Sequence, residues 1–286
     1  MTVYAVTGAS GHLGRRAVQQ LLARGVRPSD IVAVVRSRAT VADRVARDVE
    51  VREADYSQPD TMRAALAAVD RLLLVSSSEA GQRVVHHVNV IHAAKAVQVS
   101  RILYTSMLKT DVASNPFSAD HLGQQRALRE SGVAFTLLRN GLYTEGYTDH
   151  LREYFTSGEI LGAAGNGRVS AATRQDYAAA AAAALLRDEG GNVTYELGGP
   201  SFDLAQLGRT ISDVTNTRVT YRDLPQEQFV DVLQQGGLAE GTARFVPRLT
   251  RRSRVVSWRR TGTTWRNCSA VRRRRSSSSC ALPTTP

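Results

Sequence analysis

Short apolar runs alternate with amphipathic segments along the first 140 residues of the chain. The apolar runs are short and rich in β-branched residues, a pattern typical of strands covered on both faces. The predicted strands are Val3–Thr7, Ile31–Val35, Val49–Arg52, Leu72–Ser76, Arg101–Thr105 and Ala134–Leu138. Helical periodicity predicts helices between them at about 12–24, 40–47, 60–68, 80–97 and 118–131. This alternation predicts an α/β fold with a doubly wound parallel sheet.

The rhythm changes after Asn140, where glycines interrupt the chain at short intervals. A helix is predicted to begin near Thr173, because Thr173-Arg-Gln-Asp176 resembles a capping box with Asp in place of Glu. The elements predicted after it are a strand, a helix, a strand and a helix, at Val193–Leu197, Asp203–Thr215, Val219–Arg222 and Pro225–Gln235. We therefore predict a first domain over residues 1–140 and a smaller, substrate-binding α/β lobe over 141–246.

The last forty residues differ in composition from the rest of the chain. Residues 247–286 hold eleven arginines and no Asp or Glu, which leaves 26 basic residues against 26 acidic ones in the body. The net charge of +11 therefore gives no case for nucleic-acid binding through the body. A basic nucleic-acid arm and a disordered extension are two interpretations of this Arg/Ser-rich tail. We favour a third, a reading-frame shift near Val246, which resequencing of the gene would test.

Composition also bears on location. Both cysteines, Cys268 and Cys280, lie in the tail, so the body offers neither a disulfide framework nor a thiolate nucleophile. The longest apolar run, Ala178 to Leu186, is far shorter than the roughly 20 residues of a membrane span. The first strand begins so early that it leaves no room for a signal peptide. These features predict a soluble cytoplasmic protein with no membrane partner.

A glycine motif, Gly8-Ala-Ser-Gly11-His-Leu-Gly14, follows the first predicted strand and opens the first helix. In a dinucleotide-binding site the three glycines permit a tight turn, close approach of the pyrophosphate and close packing of helix on sheet. Phosphates would be met by the backbone N–H groups of Ser10, Gly11, His12 and Leu13, helped by the positive end of the helix. The motif predicts an NAD(P)-binding Rossmann domain; a purely structural turn is the alternative.

The end of the second strand indicates which dinucleotide binds. An NAD site usually places an acid there for the ribose 2′-hydroxyl, whereas this chain reads Arg36-Ser-Arg38. A guanidinium can hold a 2′-phosphate with two hydrogen bonds, so we predict that Arg36 selects NADPH. Two surface arginines beyond a strand end are the alternative interpretation.

Further candidates follow the third and fourth strands. Asp55 is placed to hydrogen-bond the adenine, and Ser76, Ser77 and Ser78 are placed along the path of the ribose and pyrophosphate. Ligands of open α/β sheets bind outside the carboxyl ends of the strands, which is where these side chains are expected. Turn-forming serines are an equally ordinary interpretation.

Five separated motifs carry a resemblance to a known family. They are the glycine loop, Leu72-Leu-Leu-Val-Ser-Ser-Ser-Glu79, Tyr104-Thr-Ser-Met107, Leu137-Leu-Arg-Asn-Gly-Leu-Tyr143 and Ala171-Ala-Thr-Arg-Gln-Asp-Tyr177. From residue 3 to about 245 the sequence resembles the NmrA-like branch of the atypical short-chain dehydrogenases, and within it the bacterial type 2 NAD(P)H:quinone oxidoreductases. The resemblance stops where the arginine-rich tail begins.

The resemblance implies NADPH-dependent two-electron reduction of a small-molecule quinone by direct hydride transfer. It places Asn140 and Tyr143 beside the nicotinamide and the quinone, with Tyr104 near the end of the fifth strand. Ordinary short-chain dehydrogenases carry Tyr-x-x-x-Lys, where this chain reads His121-Leu-Gly-Gln-Gln125. We consider His121 as a general acid or, alternatively, as a packing or capping residue.

The missing catalytic pair leaves a second function open. NmrA-like proteins include non-catalytic sensors of NADP(H) that act through a protein partner, and this chain could be one of them. A homodimer is compatible with either function. No metal site is predicted, because adjacent His86 and His87 are not joined by a cluster of acids or thiols.

Overall fold

The structure, a computed structural model, describes residues 1–40, 48–77, 79, 81–111 and 116–251. The predicted helix at 40–47 (beyond its first residue), Ser78 and residues 252–286 of the tail lie outside the described residues. The strands are β1 Tyr4–Thr7, β2 Ile31–Val35, β3 Glu50–Glu53, β4 Arg71–Leu74, β5 Arg101–Met107, β6 Ala134–Asn140, β7 Leu142–Tyr143, β8 Glu159–Gly162, β9 Arg168–Ala172, β10 Val193–Leu197, β11 Ser201–Asp203 and β12 Thr220–Asp223. The α-helices are α1 His12–Ala23, α2 Pro59–Ala65, α3 Arg83–Ala96, α4 Pro116–Ser131, α5 Glu145–Thr148, α6 Leu151–Ser157, α7 Arg174–Leu186, α8 Leu204–Thr215, α9 Gln226–Gln235 and α10 Glu240–Arg251.

The main sheet has seven strands in the order β10-β6-β5-β4-β1-β2-β3, and every neighbouring pair is parallel. The chain winds from β1 outward to β3 and then returns to the other side through β4, β5 and β6. The prediction of a doubly wound Rossmann sheet is therefore confirmed. Its switch point lies between β1 and β4, where the carboxyl ends of the strands leave a crevice for a ligand.

Two apolar layers cover the sheet. On one face α1 and α7 pack together over side chains such as Val6, Val35 and Leu138. On the other face α2, α3 and α4 cover side chains such as Val34, Leu72 and Ile102. Consecutive residues of β2 and β4 thus enter opposite layers, which is why these strands read as uninterrupted apolar runs.

One predicted domain boundary is corrected by the sheet. The helix and strand expected in the smaller lobe, α7 and β10, belong to the main domain instead: β10 pairs with β6, and α7 packs against α1. The run of alanines from Ala178 to Ala184 explains the packing, because small side chains allow two helices to approach closely. The strand pattern of Val193–Leu197 predicts a strand correctly but contains nothing that assigns it to a sheet.

The remaining late elements form the smaller unit. A three-stranded sheet, β11-β9-β7, and a two-stranded sheet, β12-β8, lie among α5, α6 and α8–α10, with Ile160, Ile211 and Val219 at the centre of one apolar cluster. Helix α10 continues through Pro247 to Arg251, so it includes the first five residues of the predicted tail. No helix in the described parts of the chain is long and apolar enough to cross a membrane.

Candidate functional site

The glycine turn after β1 has the geometry that its sequence requires. Gly8 has φ +58°, in the left-handed region that favours glycine. The Gly11 N–H donates to the Gly8 carbonyl at 2.9 Å, which closes the turn. A Cβ on Gly14 would lie 2.8 Å from the Gly8 carbonyl carbon and 3.0 Å from the Ala9 Cα, so only glycine lets α1 pack this close. The Gly11 N–H is engaged in this turn, and its contact with a phosphate stays a prediction.

The beginning of α1 is suited to an anion. Its N-cap is Gly11, which has no side chain to cap the helix, and the first turn contains no acidic residue. The first N–H groups of a helix have no partner within the helix and carry the positive end of its dipole. The start of α1 is thus suited to an anion at the switch point of the sheet, and binding of a pyrophosphate by the amides of His12 and Leu13 stays a prediction.

A buried hydroxyl holds the two strands of the switch point together. The Thr7 Oγ donates to the Leu73 carbonyl (3.3 Å) and accepts from the Val75 N–H (3.0 Å) and the Tyr56 hydroxyl (2.5 Å). Burial raises the pKa of Tyr56, which keeps its hydroxyl protonated as a donor. Sequence reasoning missed Thr7 and Tyr56, although a threonine directly before the glycine turn was a visible signal.

The serine segment after β4 is anchored from two neighbouring elements. The Ser76 N–H donates to Thr105 Oγ1 (2.8 Å) on β5, and the Ser77 N–H donates to His87 Nε2 (3.0 Å) on α3. The Ser77 carbonyl accepts from Arg83 Nε at 2.8 Å. These bonds hold the backbone of the segment, whereas contact of the Ser76 and Ser77 hydroxyls with a ribose stays a prediction.

The structure places Arg36 and Asp55 at the carboxyl ends of β2 and β3, as predicted. The Arg36 guanidinium is exposed and forms an ion pair with Glu79, whose Oε1 lies 2.5 Å from Nη2. One Asp55 oxygen accepts from the Ser57 N–H (2.8 Å) and the Ser57 hydroxyl (2.7 Å), and these bonds lower the pKa of the carboxyl. Asp55 therefore stabilises a local turn, and its bond to an adenine stays a prediction.

Tyr104 and His121 are in contact, but inside the core. The Tyr104 side chain has no exposed surface, and its hydroxyl lies 2.6 Å from His121 Nδ1 and also contacts Gln124 Oε1. Burial lowers the pKa of His121 to about 4, with Arg83 adding to the effect, so the ring is neutral at pH 7. Tyr104 therefore lies in the core, and the surroundings of His121 are those of the packing interpretation; a catalytic role for either residue stays a prediction.

Asn140 and Tyr143 are brought together as predicted, at the carboxyl end of β6 and in β7. Asn140 is buried, its side chain opposes the rise in the pKa of Tyr143, and its Oδ1 has no hydrogen-bond partner among the described residues. The Arg174 guanidinium lies 5.1 Å over the Tyr143 ring, and Tyr177 meets that ring edge-on at 5.6 Å. Burial raises the pKa of Tyr143 while the Arg174 charge opposes it, so a protonated phenol stands beside an unused amide oxygen.

The two adjacent histidines of α3, His86 and His87, have different neighbours. His87 is fully buried, with its ring edge-on to Tyr56 at 5.8 Å and to Tyr104 at 5.6 Å. His86 Nδ1 lies 3.1 Å from Glu79 Oε2. Within the described ranges, no three His, Cys, Asp or Glu side chains are grouped closely enough to hold a metal ion.

Comparison with known proteins gives a consistent result. The NAD(P)H-binding family matches residues 8–188, more than half of the chain. Quinone oxidoreductase 2 of Escherichia coli is 40% identical over 240 residues, which cover 84% of each protein. The crystal structure of the E. coli NADPH-dependent quinone oxidoreductase QOR2 with NADPH superposes with a TM-score of 0.85 at 35% identity, covering 94% of this chain and 99% of that one. Triphenylmethane reductase of Citrobacter sp. in complex with NADP(H) gives a TM-score of 0.86 at 31% identity, covering 93% and 94%. The chain therefore belongs to the NAD(P)H-binding family.

Proposed function

We propose that this protein is an NADPH-dependent oxidoreductase that reduces quinones to hydroquinones by two-electron hydride transfer. The observation that carries the proposal is the uncapped, acid-free beginning of α1 at the switch point of the sheet. The relative from E. coli that is 40% identical to the chain carries the name quinone oxidoreductase 2, which supports the choice of acceptor.

The residues of the crevice fit the cofactor. The missing Cβ at position 14 lets the glycine turn pack directly on the start of α1, and the amides of Ser10, His12 and Leu13 would hold a pyrophosphate there. Arg36 supplies a cation for the 2′-phosphate, beyond the end of β2. NADPH, when bound, supplies the hydride. Asp55 would contact the adenine, and Ser76 and Ser77 the ribose.

The acceptor is held by Asn140 and Tyr143. Burial keeps the Tyr143 phenol protonated, so its O–H would donate to a quinone oxygen. Asn140, buried beside Tyr143, would shape the pocket wall against which the quinone ring lies. No Tyr-x-x-x-Lys pair is needed, because aromatisation drives the quinone to accept a hydride and solvent protonates the hydroquinone oxygens. Alignment of donor and acceptor can supply a large share of the acceleration, since effective molarities reach about 10⁵ M or more.

The proposal is tested by NADPH oxidation with benzoquinones and naphthoquinones, without added flavin. A triphenylmethane dye belongs in the same panel, because a relative with that named activity has this fold. We expect turnover with NADPH and at least one quinone. Measured NADPH binding with no turnover on any acceptor would exclude the enzyme and leave the NADP(H) sensor. Indifference to every nicotinamide nucleotide would exclude both.

The role of Tyr143 is tested by Tyr143→Phe. Loss of one hydrogen bond to developing charge lowers kcat by about ten- to one-hundred-fold, while Kd for NADPH stays unchanged because the hydroxyl faces the acceptor. Tyr154→Phe is the matched control, since Tyr154 packs on the core of the small lobe. Equal kcat in Tyr143→Phe and the wild type would exclude the hydrogen bond to the quinone.

A further inference from the structure

A carboxylate of the chain itself stands where the 2′-phosphate is expected. Arg36 follows β2 and Glu79 follows β4, the two strands that flank β1 in the sheet. Their ion pair of 2.5 Å thus joins the two sides of the crevice at the edge where the glycine turn leaves β1. Any dinucleotide whose ribose lies beside Arg36 meets this pair first.

Glu79 is held in place by more than Arg36. Its backbone N–H donates to the Ser77 Oγ at 3.1 Å, and its second carboxylate oxygen lies 3.1 Å from His86 Nδ1. Ser77 is itself anchored to the buried His87. The carboxylate is therefore positioned by the same segment that is proposed to hold the cofactor. Its place does not depend on the contact with Arg36 alone.

We infer that Glu79 is a specificity-determining residue that competes with the 2′-phosphate for Arg36 and so weakens NADPH binding. The inference rests on the proposed function, in which Arg36 binds that phosphate. A carboxylate next to a phosphate repels it, and a guanidinium already paired gains less from a second anion. NADH lacks the 2′-phosphate and is not repelled. Glu79 therefore reduces the difference in binding affinity between NADPH and NADH.

The test is isothermal titration of the full chain with NADPH and with NADH. Glu79→Gln keeps the size of the side chain and one acceptor oxygen and removes the negative charge. Since an exposed ion pair contributes about 0.2–1 kcal/mol, Kd for NADPH should fall by up to about five-fold, and Kd for NADH should not change. Glu130→Gln is the control, because Glu130 forms an exposed ion pair with Arg126 on α4.

Arg36→Gln separates this inference from the proposed function. We expect it to weaken NADPH binding, and in that background Glu79→Gln should have no further effect on Kd. One outcome excludes the competition but keeps the role of Arg36: Arg36→Gln weakens NADPH binding, and Glu79→Gln alone does not strengthen it. If Arg36→Gln leaves NADPH binding unchanged, the 2′-phosphate role fails and the competition fails with it.

Discussion

Acidification should destabilise this protein through two buried histidines. Burial lowers the pKa of His87 to about 3 and that of His121 to about 4, against 6.5 for an unhindered histidine. Between pH 7 and 5 the unfolded chain binds protons at these positions and the folded chain does not. The free energy of unfolding therefore falls as the pH falls through 6.5, and the loss continues until each folded pKa is reached.

The magnitude follows from the two pKa values. Each histidine lowers the free energy of unfolding by about 2 kcal/mol between pH 7 and pH 5, and the two together lower it by about 4 kcal/mol. That is a large part of the roughly 5–15 kcal/mol that stabilises a typical domain. Carboxyls such as Asp55 and Asp111, whose pKa is lowered from 3.8, lose their contribution only at lower pH and do not enter this window.

Urea unfolding followed by circular dichroism at pH 7, 6 and 5 measures the effect. The quantity compared is the fall in unfolding free energy between pH 7 and 5, so a general loss of stability in a variant cancels. His87→Gln should reduce that fall by about 2 kcal/mol. His92→Gln, an exposed histidine on the same helix, should leave it unchanged. A wild-type fall below about 1 kcal/mol, or an equal fall in His87→Gln, would refute the reasoning.

Two substitutions test the glycine turn after β1 and the cap of helix α7. Gly14→Ala should lower the unfolding free energy by about 1–3 kcal/mol and weaken NADPH binding, because the added Cβ meets backbone atoms of Gly8. Gly190→Ala is the control and should do neither, because its Cβ meets nothing within 4 Å. Equal thermal stability of the two variants would contradict this expectation. Thr173→Ala removes the acceptor of the Asp176 N–H at the start of α7 and should cost about 1 kcal/mol in a thermal melt, and no change in Tm would show that this cap is dispensable.

Local patterns in the sequence determined much of this structure. Ile31–Val35 is predicted to the residue, because a short apolar run rich in β-branched residues is typical of a strand buried on both faces. The spacing of Gly8, Gly11 and Gly14 determined the turn, since the backbone geometry there excludes larger side chains. The pairing of Asn140 with Tyr143 is also local, because three residues separate them along the chain.

Contacts between distant segments were decided only by the tertiary structure. Periodicity records whether a residue is buried but not which residue it meets, so β10 was predicted as a strand without its place beside β6. The same limit hid the bond between Thr7 and Tyr56 and the ion pair between Arg36 and Glu79, whose partners are 49 and 43 residues apart. These pairs exist because the winding of the sheet brings the carboxyl ends of its strands to one edge.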